Sequence, residues 1–250
     1  MQNNRPYVLT IAGFDPSGGA GLTADTKTFE QHKVYGLAIC SGITLQTEDS
    51  FLAMRWEKVS DVLTALEVLL KKYPVAVVKT GILPNADYLE KIISYVNQHY
   101  PLVKILVDPV FKASAGFELF DFSSREHFYK SLEKCYLITP NLEEVKWITG
   151  YDTEEKAASE LAKYCTVFLK GGHRTARKGV DYLYEGKQIT EFLPTRESTN
   201  SKHGTGCVLS AAIASNLALG HSLTESCRRG KAYLEKVLNS NHTLLGYHHV

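Results

Sequence analysis

The strongest constraint on this chain is a rhythm. Short apolar runs alternate with amphipathic stretches of helical period along nearly all of its 250 residues. The runs fall at residues 7–12, 37–45, 75–79, 104–107, 136–139 and 167–169, and each is mostly aliphatic and rich in β-branched side chains. Strands of that kind are buried on both faces, as in a parallel sheet covered by helices. Between them, residues 60–72 place Val62, Leu63, Leu66, Leu69 and Leu70 on one side, with Ser60 as the expected N-cap. Residues 85–99 do the same with Leu89, Ile92, Ile93 and Val96, and residues 22–31, 153–164 and 223–238 follow suit. Repeated strand, helix, strand predicts parallel pairing through right-handed crossovers. Residues 181–184 and 188–192, separated by Glu185-Gly186-Lys187, read instead as a hairpin at one edge of the sheet. No repeat or low-complexity linker interrupts the pattern, so a single α/β domain over residues 1–250 is expected.

Composition narrows the function classes. The net charge is +1, which gives no bulk attraction to nucleic acid or to an anionic membrane. No run approaches the ~18–20 apolar residues of a membrane span, and the polar start does not read as a signal peptide. The five cysteines, Cys40, Cys135, Cys165, Cys207 and Cys227, are odd in number and widely spaced, without Cys-x-x-Cys. They read as reduced thiols of a cytoplasmic protein.

Ligands of such sheets bind beyond the carboxyl ends of the strands, so polar residues that follow strands are the site candidates. Gly13-Phe14-Asp15-Pro16-Ser17-Gly18-Gly19-Ala20-Gly21 follows the first strand, and its four glycines permit positive φ and close ligand approach. Gly19-x-Gly21-x-x-Ala24 matches a dinucleotide fingerprint only formally. Gly13 to Ser17 intervene after the strand, and no acidic residue stands near position 44 to hold a ribose. Gly13-x-x-x-x-Gly18 is no P-loop either, because Gly19-Ala20 stands where Lys-Ser/Thr belongs. The segment fits a plain tight turn as well as a ligand loop, and Asp25 fits a surface carboxylate as well as a ligand group.

Lys202-His203-Gly204-Thr205-Gly206-Cys207 enters an apolar helix, whose first amides lack internal partners and form an anion site. Cys207, in the first turn, is expected to have a lowered pKa. Asp108, after the run 104–107, suits either Mg²⁺ or a turn before Pro109. Asn141 and Glu144, three apart, suit a shared functional face or a capping pair. Lys170-Gly171-Gly172-His173 offers a cation and a pliant backbone to phosphate oxygens. There is no zinc signature and no Gly-x-Ser-x-Gly around Ser17.

Taken in order, five segments resemble one family. They are residues 10–21, Val107-Asp108-Pro109-Val110, Ile138-Thr139-Pro140-Asn141-Leu142-x-Glu144, Leu169-Lys170-Gly171-Gly172-His173 and His203-Gly204-Thr205-Gly206-Cys207. Together they look like the hydroxymethylpyrimidine/phosphomethylpyrimidine kinases of thiamine biosynthesis, within the ribokinase-like superfamily. The resemblance implies a three-layer α/β/α sandwich, ATP-dependent phosphorylation of a primary alcohol and then of its monophosphate, and a homodimer. It implies that Gly13, Asp25 and Gln46 bind the pyrimidine. It further implies that Asp108 and Glu144 organise Mg²⁺, that Asn141, Lys170 and Asp108 serve ATP, and that Gly204, Thr205 and Gly206 form the anion hole. Cys207 falls at the position of the catalytic base. Ser114 stands where the family usually has lysine, with Lys112 two residues earlier, and Thr47-Glu48 replaces the common Asn-Thr after Gln46. Residues 171–179 are the candidate lid. The competing expectations are a pyridoxal or pyridoxine kinase of the same fold, a non-catalytic binding module, and a nicotinamide oxidoreductase resting on Gly19-x-Gly21-x-x-Ala24 alone.

Overall fold

A computed structural model of the chain describes residues 5–112, 119–121, 125–172, 177–195 and 200–250. Its centre is one sheet of six parallel strands: β1 (Tyr7–Phe14), β2 (Tyr35–Gln46), β4 (Val75–Thr80), β5 (Lys104–Val107), β6 (Leu137–Ile138) and β7 (Val167–Leu169). Antiparallel partners extend both edges: β3 (Phe51–Trp56) beside β2, and the hairpin β8 (Asp181–Glu185) and β9 (Gln188–Phe192) beside β7. The order is β3-β2-β1-β4-β5-β6-β7-β8-β9. The hairpin at the β9 edge stands where the sequence places it.

Alternation along the buried strands makes two cores. Leu9, Ile11, Val78, Ile105, Val107, Ile138 and Leu169 face one side. There they meet α2 (Val59–Lys72), α3 (Ala86–His99), α4 (Arg125–Leu132), α5 (Leu142–Thr149) and α6 (Glu154–Leu161). Val8, Val77, Leu106, Leu137, Phe168 and Leu183 point to the other side, against α1 (Gly21–Gln31), α7 (Thr205–Ala218) and α8 (Leu223–Leu238). This is the expected three-layer sandwich. Every residue of α7 from Val208 to Leu217 is buried, as suits a helix apolar all round. At Gly230 of α8 a Cβ would lie 2.8 Å from Ile213 Cγ1, so α7 and α8 pack through that glycine.

The chain runs from β1 through α1 to β2 on one side, then returns through α2 to β4 on the other. The carboxyl ends of β1 and β4 therefore flank the point where the strand order reverses, which is where such sheets open a crevice.

Several local expectations change. Helix α2 begins at Val59, and its N-cap is Lys58, not Ser60. Strand β3 and helix α4 have no counterpart in the sequence reading. Strand β3 buries none of its six residues fully, so it has no apolar alternation to betray it. Residues 113–118, including Ser114, and residues 173–176 of the candidate lid lie outside the described residues.

Candidate active site

The two glycine-rich turns interlock at that crevice. Gly21 starts α1 with φ 55°, and a Cβ there would lie 2.1 Å from the Gly13 carbonyl oxygen. Gly204, the N-cap of α7, has φ 74°, and a Cβ there would lie 2.0 Å from the Gly19 carbonyl oxygen. No larger residue fits either place. Asp15 joins the turns electrostatically. Its carboxylate accepts from the Ser17 amide (2.9 Å) and hydroxyl (2.8 Å), from the Ala20 amide (2.8 Å) and from His203 Nε2 (3.0 Å). Burial pushes the Asp15 pKa up, but these donors outweigh it and hold the carboxyl at about 2. Asp15 therefore stays ionised, and His203 is fixed with Nε2–H towards it.

A cavity of about 450 Å³ opens over the turns. Gly13 lines it, at the end of β1, together with Gly81 and Ile82 after β4. A Cβ at Gly13 would clash with Ile82 Cδ1 at 2.2 Å, so glycine there admits Ile82 to the wall. Gln46, the last residue of β2, reaches the cavity from the edge, and the β2–β3 turn at residues 47–50 forms the mouth. Gly204, Thr205, Gly206 and Cys207 line the opposite side. Their amides head α7, which has no side-chain cap, so they present the positive end of the helix dipole to the cavity.

Below this turn lies a charge cluster assembled from three strand ends. Asp108, after β5, is fully buried, and its Oδ1 accepts from Thr139 Oγ1 (3.1 Å) and Lys170 Nζ (2.9 Å). Its Oδ2 accepts from Ser210 Oγ of α7 at 3.0 Å. Lys170, after β7, also lies 3.7 Å from Glu144 Oε2 and would be 3.2 Å from a Cβ at Gly206. The ammonium thus sits directly beneath the turn. Asn141 and Glu144 make a capping box on α5: Asn141 Oδ1 accepts from the Glu144 amide at 2.9 Å, and the Glu144 carboxylate accepts from the Asn141 amide at 2.6 Å. Burial raises the Glu144 pKa to about 7, against the attraction of Lys170. Burial works against the Lys170 charge too, but Asp108 and Glu144 overcome it and keep the ammonium firmly protonated.

Two expected site residues lie behind the cavity wall rather than in it. Asp25 is fully buried and accepts from Thr10 Oγ1 (2.6 Å) and Lys79 Nζ (2.8 Å), so it is no surface carboxylate. Its Oδ1 has no hydrogen-bond partner. Asp108, by contrast, spends both oxygens on protein donors. The expectation for Cys207 is corrected in sign: burial pushes its thiol up to about 12, and Lys79 offsets only part of that. The helix dipole does not overcome desolvation here. Among the described residues no group of three or more His, Cys, Asp or Glu side chains is arranged to hold a metal.

Asp15, Lys79 and the His203 ring were not singled out from sequence. Lys79 carries a readable signal, since a lysine inside the apolar run Val75-Ala76-Val77-Val78 demands a buried partner. Asp15 follows a strand, but a carboxylate in a glycine-rich turn reads equally as a turn former. Lys112 lines the cavity.

Comparison with known proteins agrees with this geometry. A family model described as phosphomethylpyrimidine kinase matches residues 15–250. The chain is 31% identical over 251 residues to the hydroxymethylpyrimidine/phosphomethylpyrimidine kinase of Aquifex aeolicus, covering 96% of this chain and 97% of that one. It is 34% identical over 238 residues to the thiamine biosynthesis bifunctional protein ThiED of Geobacter sulfurreducens, covering 92% of this chain and 48% of that protein's length. Among solved structures, an ADP complex of Bacillus subtilis pyridoxal kinase superposes with a TM-score of 0.81 at 27% identity, over 93% of this chain and 91% of that one. A cavity at the strand-order reversal, walled by an interlocked pair of glycine turns over a lysine–carboxylate cluster, thus coincides with a match over nearly the whole sequence, and the chain belongs to the phosphomethylpyrimidine kinase family.

Proposed function

We propose that this enzyme transfers the γ-phosphoryl group of ATP to the hydroxymethyl group of 4-amino-5-hydroxymethyl-2-methylpyrimidine, and then phosphorylates the resulting monophosphate, in thiamine biosynthesis. One observation carries the reading: Lys170 lies directly beneath Gly206, so a cation and the free amides of α7 converge on the same wall of one cavity. Phosphoryl transfer asks for that combination, because charge grows on the oxygens of the moving group and little covalent chemistry is left to the protein.

The alcohol oxygen forms a bond to the γ-phosphorus while the bond to the ADP oxygen breaks, and the alcohol proton must leave. Gly204, Thr205 and Gly206 amides and Lys170 stabilise the transferred group. Gly13 and Gln46 orient the pyrimidine, the Gln46 amide offering a donor and an acceptor to an aminopyrimidine edge. Asn141 positions the nucleotide end. Asp25 acts from behind the wall through Lys79, and Asp108 acts through Lys170. Glu144 and Asp108 are the residues that would organise Mg²⁺, and with Asp108 enclosed the donor that faces the cavity is Glu144. One carboxylate with phosphate oxygens and waters fits the habits of Mg²⁺, which supplies further neutralisation of phosphate charge when bound. Cys207 accepts the alcohol proton as its thiolate; its raised pKa makes it a thiol at rest, so the thiol proton must first be lost to solvent. For such a base kcat/KM climbs about tenfold per pH unit between pH 7 and 9. A flat profile over that range removes the thiol from proton transfer.

The five unpaired cysteines support a cytoplasmic location; no helix among the described residues is long and apolar enough to cross a membrane. It is assigned as a homodimer on the exposed Ile43, Leu45 and Leu52 of the β2–β3 edge, with light scattering as the check.

Incubation with Mg²⁺-ATP and the hydroxymethylpyrimidine, its monophosphate or pyridoxal, with products read by mass, tests the substrate. Conversion of both pyrimidines is expected. Turnover of pyridoxal alone establishes the second reading, which the likeness to a pyridoxal kinase favours.

A further inference from the structure

The turn that enters α7 lacks a side-chain cap, and residues on both sides of it supply the restraint. Asp15 holds the His203 ring on one side. On the other, the segment 239–250, which forms no regular element, folds back over the turn. The His203 amide donates to the Leu244 carbonyl at 2.8 Å, Leu244 lines the cavity, and a Cβ on Gly19 would touch Leu245 Cδ2 at 2.8 Å.

Lys202 is the rivet of this arrangement. It is 7% exposed, and among the described residues no carboxylate lies within ion-pair distance of it. Its ammonium donates instead to the Asn241 carbonyl (2.6 Å), to Asn241 Oδ1 (2.9 Å) and to the Thr243 carbonyl. An ammonium has three donors, and three oxygens satisfy them. Asn241 is itself aimed by its neighbours: its Oδ1 accepts from the Thr243 amide at 2.9 Å, and its Nδ2 donates to the Leu245 carbonyl at 2.9 Å. A buried charge without a counter-ion is expensive unless its hydrogen bonds are complete, so this cage forms only when the 241–245 segment lies in place.

We propose that Lys202 is a positioning residue for phosphoryl transfer: its ammonium pins residues 241–245 onto the turn and thereby fixes the amides of residues 204–207. The inference rests on those amides being the phosphoryl site. Misplacement by about an ångström costs about 10²-fold in rate, so the effect belongs in kcat.

The test compares Lys202→Ala, Asn241→Ala, Gly206→Ala and, as a surface control, Lys71→Ala in the full chain. Lys202→Ala is expected to lose about 10²-fold in kcat with KM for both substrates within about threefold. Amide exchange across 203–207 and 241–245 should quicken together. Added ammonium or methylammonium ion, which can occupy the vacated oxygen cage, should restore part of kcat and of the protection. Asn241→Ala removes one of three oxygens and is expected to lose about tenfold; it serves if Lys202→Ala fails to fold. Unchanged kcat in Asn241→Ala and in folded Lys202→Ala overturns the proposal, as does a loss confined to thermal stability that no cation rescues. Gly206→Ala separates the two levels. If it keeps full turnover, the phosphoryl site itself is misassigned; if it loses turnover while Lys202→Ala does not, only the role of Lys202 fails.

Discussion

Two buried lysine–aspartate pairs flank the cavity and look alike chemically. Lys79 donates to Asp25 at 2.8 Å and Lys170 to Asp108 at 2.9 Å, and both carboxylates are fully buried. They differ in access. Lys79 is 0% exposed and does not line the cavity, whereas Lys170 is 13% exposed, borders Glu144 and reaches the turn at Gly206. The same ion pair is therefore fully enclosed in one place and presents its cation to the cavity in the other. Position relative to the cavity, not residue type, separates the roles.

The comparison can be broken most directly by removing each cation. Lys170→Met is expected to lower turnover by about 10²–10³-fold, the scale of losing a principal charge stabiliser, while Thr139 and Ser210 continue to hold Asp108; steady-state kinetics on the folded variant reads this. Lys79→Met should reverse the balance. Stranding Asp25 costs about 3–5 kcal/mol in denaturant unfolding, with turnover per folded molecule changed far less. Equal kinetic losses in both variants would erase the distinction. Pairing Lys79→Met with Asp25→Asn should recover much of that stability, because the uncompensated charge is gone.

A subtler difference lies in Glu144, which only the Lys170 cluster possesses. Its native pKa, about 7, exceeds its ordinary value of 4.5 because of burial. Between those values the folded state holds a proton that the unfolded state has lost, so stability declines as pH rises from about 4.5 to 7. Glu144→Gln should flatten that part of the stability profile, and an unchanged slope assigns the proton elsewhere. The smallest expected effect is Ser210→Ala, about 1 kcal/mol for one hydrogen bond to Asp108, visible in the unfolding midpoint.

What could be read in advance follows from local chemistry. Strands buried on two faces announce themselves by composition, and glycine turns after strands by their spacing, so the sheet and the segments 13–21 and 203–207 were visible. The β2–β3 mouth was not, because an edge strand open to solvent needs no apolar pattern. Helix α4 is short and largely polar and gives little period to follow. The thiol of Cys207 was misjudged because a helix start suggests a lowered pKa, while desolvation depends on what packs around it.

The sequence alone determined the layer order, the edge hairpin after residue 180 and the family, since each rests on patterns within a few residues or on their order along the chain. Tertiary structure alone decided which carboxylates face the cavity, how Asp15 joins His203 across 188 positions, and that Lys202 is caged by residues about forty positions later. Those are contacts between distant segments, and their energies depend on burial and distance, which exist only once the chain has folded.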